Sequence, residues 1–428
     1  MSKCYFLIGQ NLKKTLELIQ CFYQDKKTNI AFSPNNSDLY QKIKALPYEE
    51  IEIHDFTTDE VTLHVQEAIE KSAEQTRYMN QINSKNHLVF HSSGSVDGLK
   101  WIFINKKNLD YVTENIFHHL GLKKTDHIGI TAPLFHSFGM NIGILTCERY
   151  DIPYTQFSKI PKEQWIEEIA KDRFTHIYGV PTIWELLKDK LNNEDLLLKN
   201  LRGGIIGGAK VNKDLFDYFF YDQDVRELTV GYGLTECSPI ITHTNPGEGL
   251  ATDGEIGKPF AETEIIFDND ELQAKGPQVA NFISRFNENS FQIRKQEVCK
   301  TGDLVKNQNG FLTYQGRVAE TIERGGEKIS LDFIQERLTA ELSSYNFEFK
   351  CYCASSDDPR FNNQIGIAYK SLENFSEQEF QEIIKEKIIR NFGRFFGNIS
   401  FLKILNFPTN NTGKYIRKES ELLKRRVA

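Results

Sequence analysis

The strongest constraint on the fold is an alternation of short apolar runs with helix-like stretches between His87 and Glu236. One helix-like stretch places four apolar residues on one face, Leu109, Val112, Ile116 and Leu120. The apolar runs lie at 87–90, 128–131, 176–180 and 201–209. Strands that alternate with helices in this way predict an α/β architecture. In such folds, ligands bind in the loops beyond the carboxyl ends of the strands.

Composition limits the classes of function. A chain of 428 residues predicts two or three compact units. The net charge of −7 argues against nucleic acid as a partner. No apolar run approaches the roughly 18 residues that span a bilayer, and residues 1–10 do not resemble a signal peptide. Seven scattered cysteines without metal-binding spacing favour a reducing, cytoplasmic location.

The last hundred or so residues predict a second, smaller unit of α+β type. We place the boundary so that residues 1–318 form a large domain and residues 319–428 a small one. The small domain is expected to contain helices at 331 onward and at 377–389, and strands at 347–354, 365–369 and 401–407.

Four candidate site residues follow the apolar run near Val230. Tyr232 offers a flat aromatic face, Thr235 a hydroxyl donor, and Glu236 a hard oxygen ligand suited to magnesium. Gly233 permits a sharp turn. Taken alone, the stretch is equally compatible with an ordinary junction between a strand and a turn.

Small hydroxyl residues and glycines also follow the strand at 87–90 and end at Lys100. Backbone N–H groups and hydroxyls of such a loop can hold phosphate oxygens while the lysine offsets their charge. The order of residues is not that of a Walker loop. A flexible surface turn is the alternative interpretation of this stretch.

Three further residues have a functional and a structural interpretation. Asp303 suits a ribose diol or caps a turn. His136 is either a packed ring or a group that gates a pocket. Lys414 ends a polar turn, where a solvated lysine is the ordinary case.

In this order, the stretches from about residue 87 to 418 resemble the adenylate-forming superfamily. That superfamily contains acyl- and aryl-CoA synthetases, acyl–carrier-protein ligases, nonribosomal adenylation domains and luciferases. The resemblance implies a large N-terminal α/β domain, here somewhat truncated at its N-terminus, and a small mobile C-terminal α+β lid. It also implies that ATP and Mg²⁺ activate a carboxylic acid as an acyl-adenylate, and that the thiol of CoA or phosphopantetheine then takes the acyl group.

The resemblance also implies a role for each matching residue around the nucleotide. Adenine would pack on Tyr232, beside Gly208, Ala209 and Gly233. Thr235 would bind the α-phosphate, and Glu236 the Mg²⁺. The β- and γ-phosphates would be held by Ser92, Ser93, Gly94, Ser95 and Lys100.

Further roles concern the ribose, the acyl group and the lid. Asp303 and Arg317 would contact the ribose, and Lys414 would bridge the substrate carboxylate and the α-phosphate. Phe135, His136 and Gly207 would line or gate the acyl pocket. Glu320 would be the hinge, and Gly325 and Gly326 the loop that enters the site for thioester formation.

The sequence departs from the family pattern in the phosphate loop. Val96, Asp97 and Leu99 replace a typical Thr, Gly and Pro, and Glu323 stands where many members carry lysine. The motif at 133–140 is closest to that of fatty-acyl and acyl–carrier-protein ligases, and it lacks the aspartate that pairs with an amino-acid ammonium. A hydrophobic acid is therefore the expected substrate, and an acyl carrier protein a candidate partner. The alternatives are an amino-acid adenylation protein and a non-catalytic adenylate-binding partner protein.

Overall fold

The computed structural model describes most of the chain, which clusters into two compact units. The first contains residues 1–268, 273–301 and 307–313, and the second contains residues 269–272, 302–306 and 314–428. The described residues are all except 1–2, 25–27, 34–45, 49, 56–57, 59, 66–72, 93–98, 158–159, 161–163, 172, 195–197, 288–289, 309, 325–326, 346, 357–362, 371–374, 409–414, 416, 418 and 428. The functional boundary between residues 318 and 319 stays a prediction, and each unit is described by itself.

The first unit contains most of the strands. They are β1 (Lys3–Ile8), β2 (Thr28–Ser33), β3 (Glu50–Asp55), β4 (Glu60–Val65), β5 (His87–Ser92), β6 (Leu99–Asn105), β7 (Ile128–Ile130), β8 (Tyr154–Gln156), β9 (His176–Gly179), β10 (Gly203–Gly207), β11 (Glu227–Tyr232), β12 (Thr242–His243), β13 (Glu255–Pro259), β14 (Glu264–Asp268), β16 (Phe282–Asn287) and β17 (Ser290–Lys295). Three strands have residues in both units, β15 (Glu271–Lys275), β18 (Val298–Gln308) and β19 (Phe311–Arg317).

The helices of the first unit follow or precede these strands. They are α1 (Leu12–Gln24), α2 (Ala73–Asn83), α3 (Lys106–His119), α4 (Leu145–Tyr150), α5 (Trp165–Ala170), α6 (Pro181–Glu194) and α7 (Lys213–Asp217). A π-helical segment, Phe138–Ile144, leads into α4, and another, Tyr218–Asp222, follows α7. Asn105 caps α3, because its side chain accepts hydrogen bonds from the backbone N–H groups of Lys107 and Asn108.

Two sheets organise the first unit. Among the described residues, the first sheet has eight strands in the order β17-β16-β6-β5-β2-β1-β3-β4. The second runs β13-β12-β11-β10-β9-β7-β8 within this unit. Its strands from β8 to β11 are parallel, and β12 and β13 add to them in antiparallel orientation. The predicted α/β architecture is confirmed.

The central strands of each sheet are buried on both faces, which explains the nearly continuous apolar runs in the sequence. In β6, Ile102 packs in the cluster that lies between the sheets, and Trp101 packs in the cluster on the opposite face. In β10, Ile205 belongs to the same inter-sheet cluster, while Ile206 packs with α6 and α7. Helix α3 contributes Leu109, Val112 and Ile116 to the inter-sheet cluster, so the predicted helix face is the buried one.

The second unit is a small α+β fold, as the sequence predicts. A hairpin of β20 (Thr321–Arg324) and β21 (Glu327–Ser330) leads into α8 (Leu331–Glu341). The sheet order is β22-β23-β24, and Phe380 and Ile384 of α9 pack in one cluster with Leu338 of α8. The remaining elements are β22 (Phe349–Ser355), β23 (Asn363–Tyr369), α9 (Glu377–Phe392), β24 (Ile399–Lys403) and α10 (Glu419–Leu423).

One strand of this unit ends earlier than predicted. The sequence predicts a strand at 401–407, but β24 ends at Lys403. After that residue the chain turns to its own C-terminal segment, because the N–H of Leu405 donates to the carbonyl of Arg425 at 3.1 Å. Apolar periodicity does not distinguish a sheet partner from such a local bridge.

A glycine in β13 allows a close backbone contact, and its replacement is the first prediction. Gly257 has φ of 70°, and an added Cβ would lie 1.9 Å from the carbonyl oxygen of His243. We expect Gly257→Ala to lower the free energy of unfolding by about 2–3 kcal/mol, through the left-handed conformation and the overlap together. Gly247 has φ of 83° but no atom of the described residues beyond its neighbours within 4 Å, so Gly247→Ala should cost only about 1 kcal/mol. If denaturant titrations show that the two variants lose equal amounts of unfolding free energy, this explanation is wrong.

Candidate functional site

The residues predicted to surround adenine lie at the carboxyl ends of two neighbouring parallel strands. Gly207 at the end of β10 is opposite Gly231 in β11. Gly208 and Ala209 follow β10. Tyr232 is the last residue of β11, and Gly233 follows it. This edge of the sheet is where α/β folds bind ligands.

A short turn fixes the candidate residues after β11. Thr235–Cys237 form one 3₁₀ turn, in which the N–H of Ser238 donates to the carbonyl of Thr235 at 3.1 Å. Gly233 is required before it, since a Cβ there would lie 2.2 Å from the carbonyl oxygen of Pro239. The carbonyl of Glu236 accepts from the N–H of Ala280 at 2.9 Å, so the turn is also held from outside.

Glu236 forms an ion pair with Lys100. The Lys100 ammonium donates a hydrogen bond to Oε1 of Glu236, and the two side chains are only 14% and 9% exposed. Lys100 belongs to β6 of the first sheet, and Glu236 follows β11 of the second. The structure therefore brings together the predicted phosphate lysine and the predicted metal ligand, which are 136 residues apart in the chain.

Thr235 contacts the motif at residues 133–140. The Ser137 hydroxyl donates to the Thr235 hydroxyl oxygen at 3.1 Å. Ser137 is buried and immediately precedes the π-helical segment Phe138–Ile144. Our sequence interpretation assigned no role to Ser137, although its place beside His136 in that motif was a usable signal.

The residues predicted for the acyl pocket lie in the same region. The rings of Phe135 and His136 have centroids 4.9 Å apart, and a Cβ on Gly207 would lie 3.9 Å from Phe138. Burial lowers the pKa of His136 to about 4, so this ring is uncharged near neutral pH. Its buried Nε2 has no hydrogen-bond partner within the described part of the chain.

In the second unit, the two residues predicted for the ribose contact one another. Nε of Arg317 lies 3.0 Å from Oδ1 of Asp303, whose side chain is 5% exposed. Desolvation by burial, followed by the nearby carboxylates of Asp332 and Asp303, raises the pKa of the neighbouring Tyr314 phenol. The two side chains lie close together, whereas the ribose role of each residue stays a prediction.

The predicted hinge residue is held by an arginine that our sequence interpretation missed. Arg417 donates to Oε2 of Glu320 at 2.7 Å and contacts Oδ1 of Asp332 at 2.6 Å. Arg417 follows Lys414 by three residues. This ion-pair cluster links the segment after the predicted lysine to the predicted hinge residue within the second unit.

Several predicted residues lie outside the described part of the chain. They are Ser93, Gly94, Ser95, Gly325, Gly326 and Lys414, together with the altered positions Val96 and Asp97. Of the phosphate loop, the structure describes the flanks, where the backbone of Ser92 is opposite Lys100 in the β5–β6 pair. In the described residues, no helix is long and apolar enough to cross a membrane.

Comparison with known proteins identifies the family. Residues 25–280 match the family model described as AMP-binding enzyme, which is more than half of the chain. The chain belongs to the AMP-binding enzyme family. The resemblance seen in the sequence motifs is therefore confirmed.

Relatives of this AMP-binding enzyme include named ligases. It is 30% identical over 270 residues to the acyl-CoA ligase SID4 of Ajellomyces capsulatus, across 58% of this chain and 46% of the relative. The chain spans between 45% and 62% of the length of the first curated relatives that it matches.

Solved structures share their fold with nearly the whole chain. The o-succinylbenzoate CoA synthetase of Bacillus subtilis, in complex with its acyl-adenylate intermediate, matches with a TM-score of 0.73 at 18% identity, over 98% of this chain and 88% of that chain. The same synthetase in complex with ATP and a magnesium ion matches with a TM-score of 0.71 at 18% identity, over 98% and 89%. The predicted adenylate-forming fold is confirmed.

Proposed function

We propose that this AMP-binding enzyme is an AMP-forming acid–thiol ligase. It activates a hydrophobic carboxylic acid, fatty or aryl, with Mg-ATP and passes the acyl group to the thiol of CoA or of a carrier protein's phosphopantetheine. The observation that carries the proposal is the buried Lys100–Glu236 pair beside the Thr235 hydroxyl. A cation, a carboxylate and a hydroxyl are thus held at the ligand-binding edge of a parallel sheet.

The donor set fits a magnesium ion that arrives with nucleotide phosphates. Glu236 offers a buried carboxylate, the kind of hard oxygen ligand that Mg²⁺ takes. Among the described residues, no group of three or more His, Cys, Asp or Glu side chains is placed to hold a metal. This suits magnesium, which usually binds through one or two carboxylates while phosphates and water supply its other ligands.

The chain's residues then act mainly by positioning and by neutralising charge. A carboxylate oxygen of the acid attacks the α-phosphorus, and the bond to the β-phosphate breaks, so that pyrophosphate leaves. Thr235 donates to an α-phosphate oxygen, and Lys100 offsets the charge of the departing phosphates. Glu236 would hold a magnesium ion, which would supply further positive charge for the phosphates. In the second step the thiol sulfur attacks the acyl carbon, and AMP leaves.

The roles given to the ribose-binding residues and to Lys414 rest on the family resemblance. Asp303 accepts from the ribose hydroxyls, and Arg317, which already contacts it, supports that carboxylate. Lys414 bridges the substrate carboxylate and the α-phosphate during adenylation. We propose that residues 319–428 form the mobile lid, with Glu320 as its hinge and Gly325 and Gly326 in the thioester loop.

The uncharged surroundings of the predicted acyl pocket support a hydrophobic acid. His136 is kept neutral by burial and packs on the ring of Phe135. Neither residue carries the negative charge that would form an ion pair with the ammonium of an amino acid. The choice between CoA and a carrier protein as acceptor is left to experiment, and a cytoplasmic location is proposed from the scattered free cysteines.

The test is identification of the nucleotide product. The protein is incubated with Mg-ATP, CoA and one acid from a panel of fatty, aryl and amino acids, and the nucleotides are separated by chromatography. AMP formed with a fatty or aryl acid supports the proposal, and AMP formed only with an amino acid supports the adenylation alternative. ADP as the product contradicts the proposal, because the enzyme then cleaves a different phosphate bond. No product from folded protein that still binds ATP also contradicts it and favours a non-catalytic binding protein.

A further inference from the structure

Two residues that the proposed function assigns to different ligands bind each other in this structure. Lys100 is assigned to the β- and γ-phosphates and Glu236 to the metal, yet the Lys100 ammonium donates to Oε1 of Glu236. The Lys100 side chain is 14% exposed, and the Glu236 side chain is 9% exposed. The pair also joins β6 of one sheet to the turn after β11 of the other.

Such a pair can be opened only if both charges are satisfied elsewhere. A buried charge that loses its partner is strongly destabilising, because water cannot replace the lost interaction. A divalent cation that arrives alone competes with the Lys100 ammonium for the Glu236 carboxylate and leaves the ammonium without a counterion. A triphosphate that arrives alone attracts the ammonium and leaves the carboxylate without a counterion.

We propose that the Lys100–Glu236 ion pair is a lock that makes binding of a divalent cation and of a nucleotide triphosphate mutually dependent. The inference rests on the proposed function for the identity of the two ligands. When both arrive together, the phosphates take Lys100 and the cation takes Glu236, so each buried charge keeps an opposite charge beside it. Linkage makes this dependence reciprocal, and couplings of this kind typically change affinity about 5- to 150-fold.

The lock also distinguishes nucleotides by their number of phosphates. AMP has no β- and γ-phosphates to draw Lys100 away, so the ion pair stays closed when AMP binds. Lys100 therefore selects for the triphosphate through Glu236, in addition to its direct contact with phosphate oxygens. Lys100 affects binding of the metal only through the Glu236 carboxylate, so for the metal it is a positioning residue.

The test measures cation binding without any nucleotide, so that turnover is not required. Mn²⁺ replaces Mg²⁺ as the probe, and free Mn²⁺ is followed by electron paramagnetic resonance in the wild type and in Lys100→Met. The variant is expected to bind Mn²⁺ about 5- to 150-fold more tightly than the wild type, since Glu236 is released. Its affinity for AMP, measured by calorimetry, is expected to stay unchanged.

Matched variants separate the lock from a general effect of charge. Lys190 on α6 is 17% exposed and pairs with Glu167 of α5 and Glu194 of α6, so Lys190→Met removes the same charge from a side chain of similar exposure. It should leave Mn²⁺ binding at the wild-type value. The double variant Lys100→Met with Glu236→Gln should lose the increase in Mn²⁺ affinity. If Lys100→Met does not fold, Lys100→Gln replaces it, because glutamine can still donate a hydrogen bond to Glu236.

Each outcome decides the inference separately from the proposed function. Mn²⁺ affinity in the folded Lys100 variant that equals the wild-type value overturns the lock, even if the enzyme forms AMP from an acid. A gain that survives in the double variant also overturns it, because the cation then binds elsewhere. If the AMP affinity of the Lys100 variant changes as much as its Mn²⁺ affinity, the ion pair does not distinguish AMP from ATP. A gain that needs Glu236, in a protein that forms no AMP, supports the lock and contradicts the proposed ligase.

Discussion

Lys414→Ala is expected to slow acid-dependent adenylation by about 100- to 1,000-fold. A fixed positive charge between the substrate carboxylate and the α-phosphate is worth a few kcal/mol when charge develops during the reaction, and each 1.36 kcal/mol changes the rate tenfold. Binding of ATP should be retained, because Lys100, Thr235 and Asp303 remain in place. The measurement is the rate of adenylate formation, with ATP affinity determined in parallel by calorimetry.

A second lysine of the same unit provides the control. Lys424 is 66% exposed and pairs with Glu421, so Lys424→Ala removes the same charge from the surface of the second unit. It should adenylate at the wild-type rate. Normal adenylation by Lys414→Ala would show that the role assigned to Lys414 from the family resemblance is wrong.

Glu236→Gln is expected to lower the adenylation rate at saturating magnesium by about 100-fold or more. The substitution keeps the shape of the side chain but removes the carboxylate charge, and a bound metal contributes several kcal/mol of charge stabilisation to such reactions. The glutamine oxygen still accepts a hydrogen bond from Lys100, but the buried ammonium loses its counter-charge, so the variant is expected to be less stable and its rate is compared below its unfolding temperature. The rate is measured as a function of magnesium concentration, with circular dichroism as the check on folding.

The control for Glu236 is an exposed glutamate of the first unit. Glu264 is 63% exposed and lies 3.9 Å from Lys275, a distance at which a surface ion pair contributes little. Glu264→Gln should therefore keep the wild-type rate and magnesium requirement. Should Glu236→Gln behave in the same way, Glu236 is not the metal ligand.

The sequence was informative where burial imposes periodicity. The helix face at Leu109 to Leu120 and the strands at 176–180 and 201–209 were predictable because these central strands are covered by apolar side chains on both faces. The strand end at 403 was not predictable, since the alternative bridge to Arg425 and Arg426 uses backbone groups that leave no apolar pattern.

For the candidate site, the sequence indicated residue types and their order but not their contacts. Lys100 and Glu236 were each assigned to a ligand, whereas their ion pair depends on two strands from different sheets meeting at one edge. The contact of Ser137 with Thr235 and that of Arg417 with Glu320 were missed for the same reason. Pairing across such separations is a property of the fold, and no local pattern reports it.

We expect this protein to join an acid to AMP before any thiol takes part. Exchange of labelled pyrophosphate into ATP tests it most directly, because the first step runs in reverse without an acceptor. With Mg-ATP and no thiol, label should enter ATP only when an accepted fatty or aryl acid is present. Absence of exchange across a panel of fatty, aryl and amino acids, with folded protein that binds ATP, would contradict the claim.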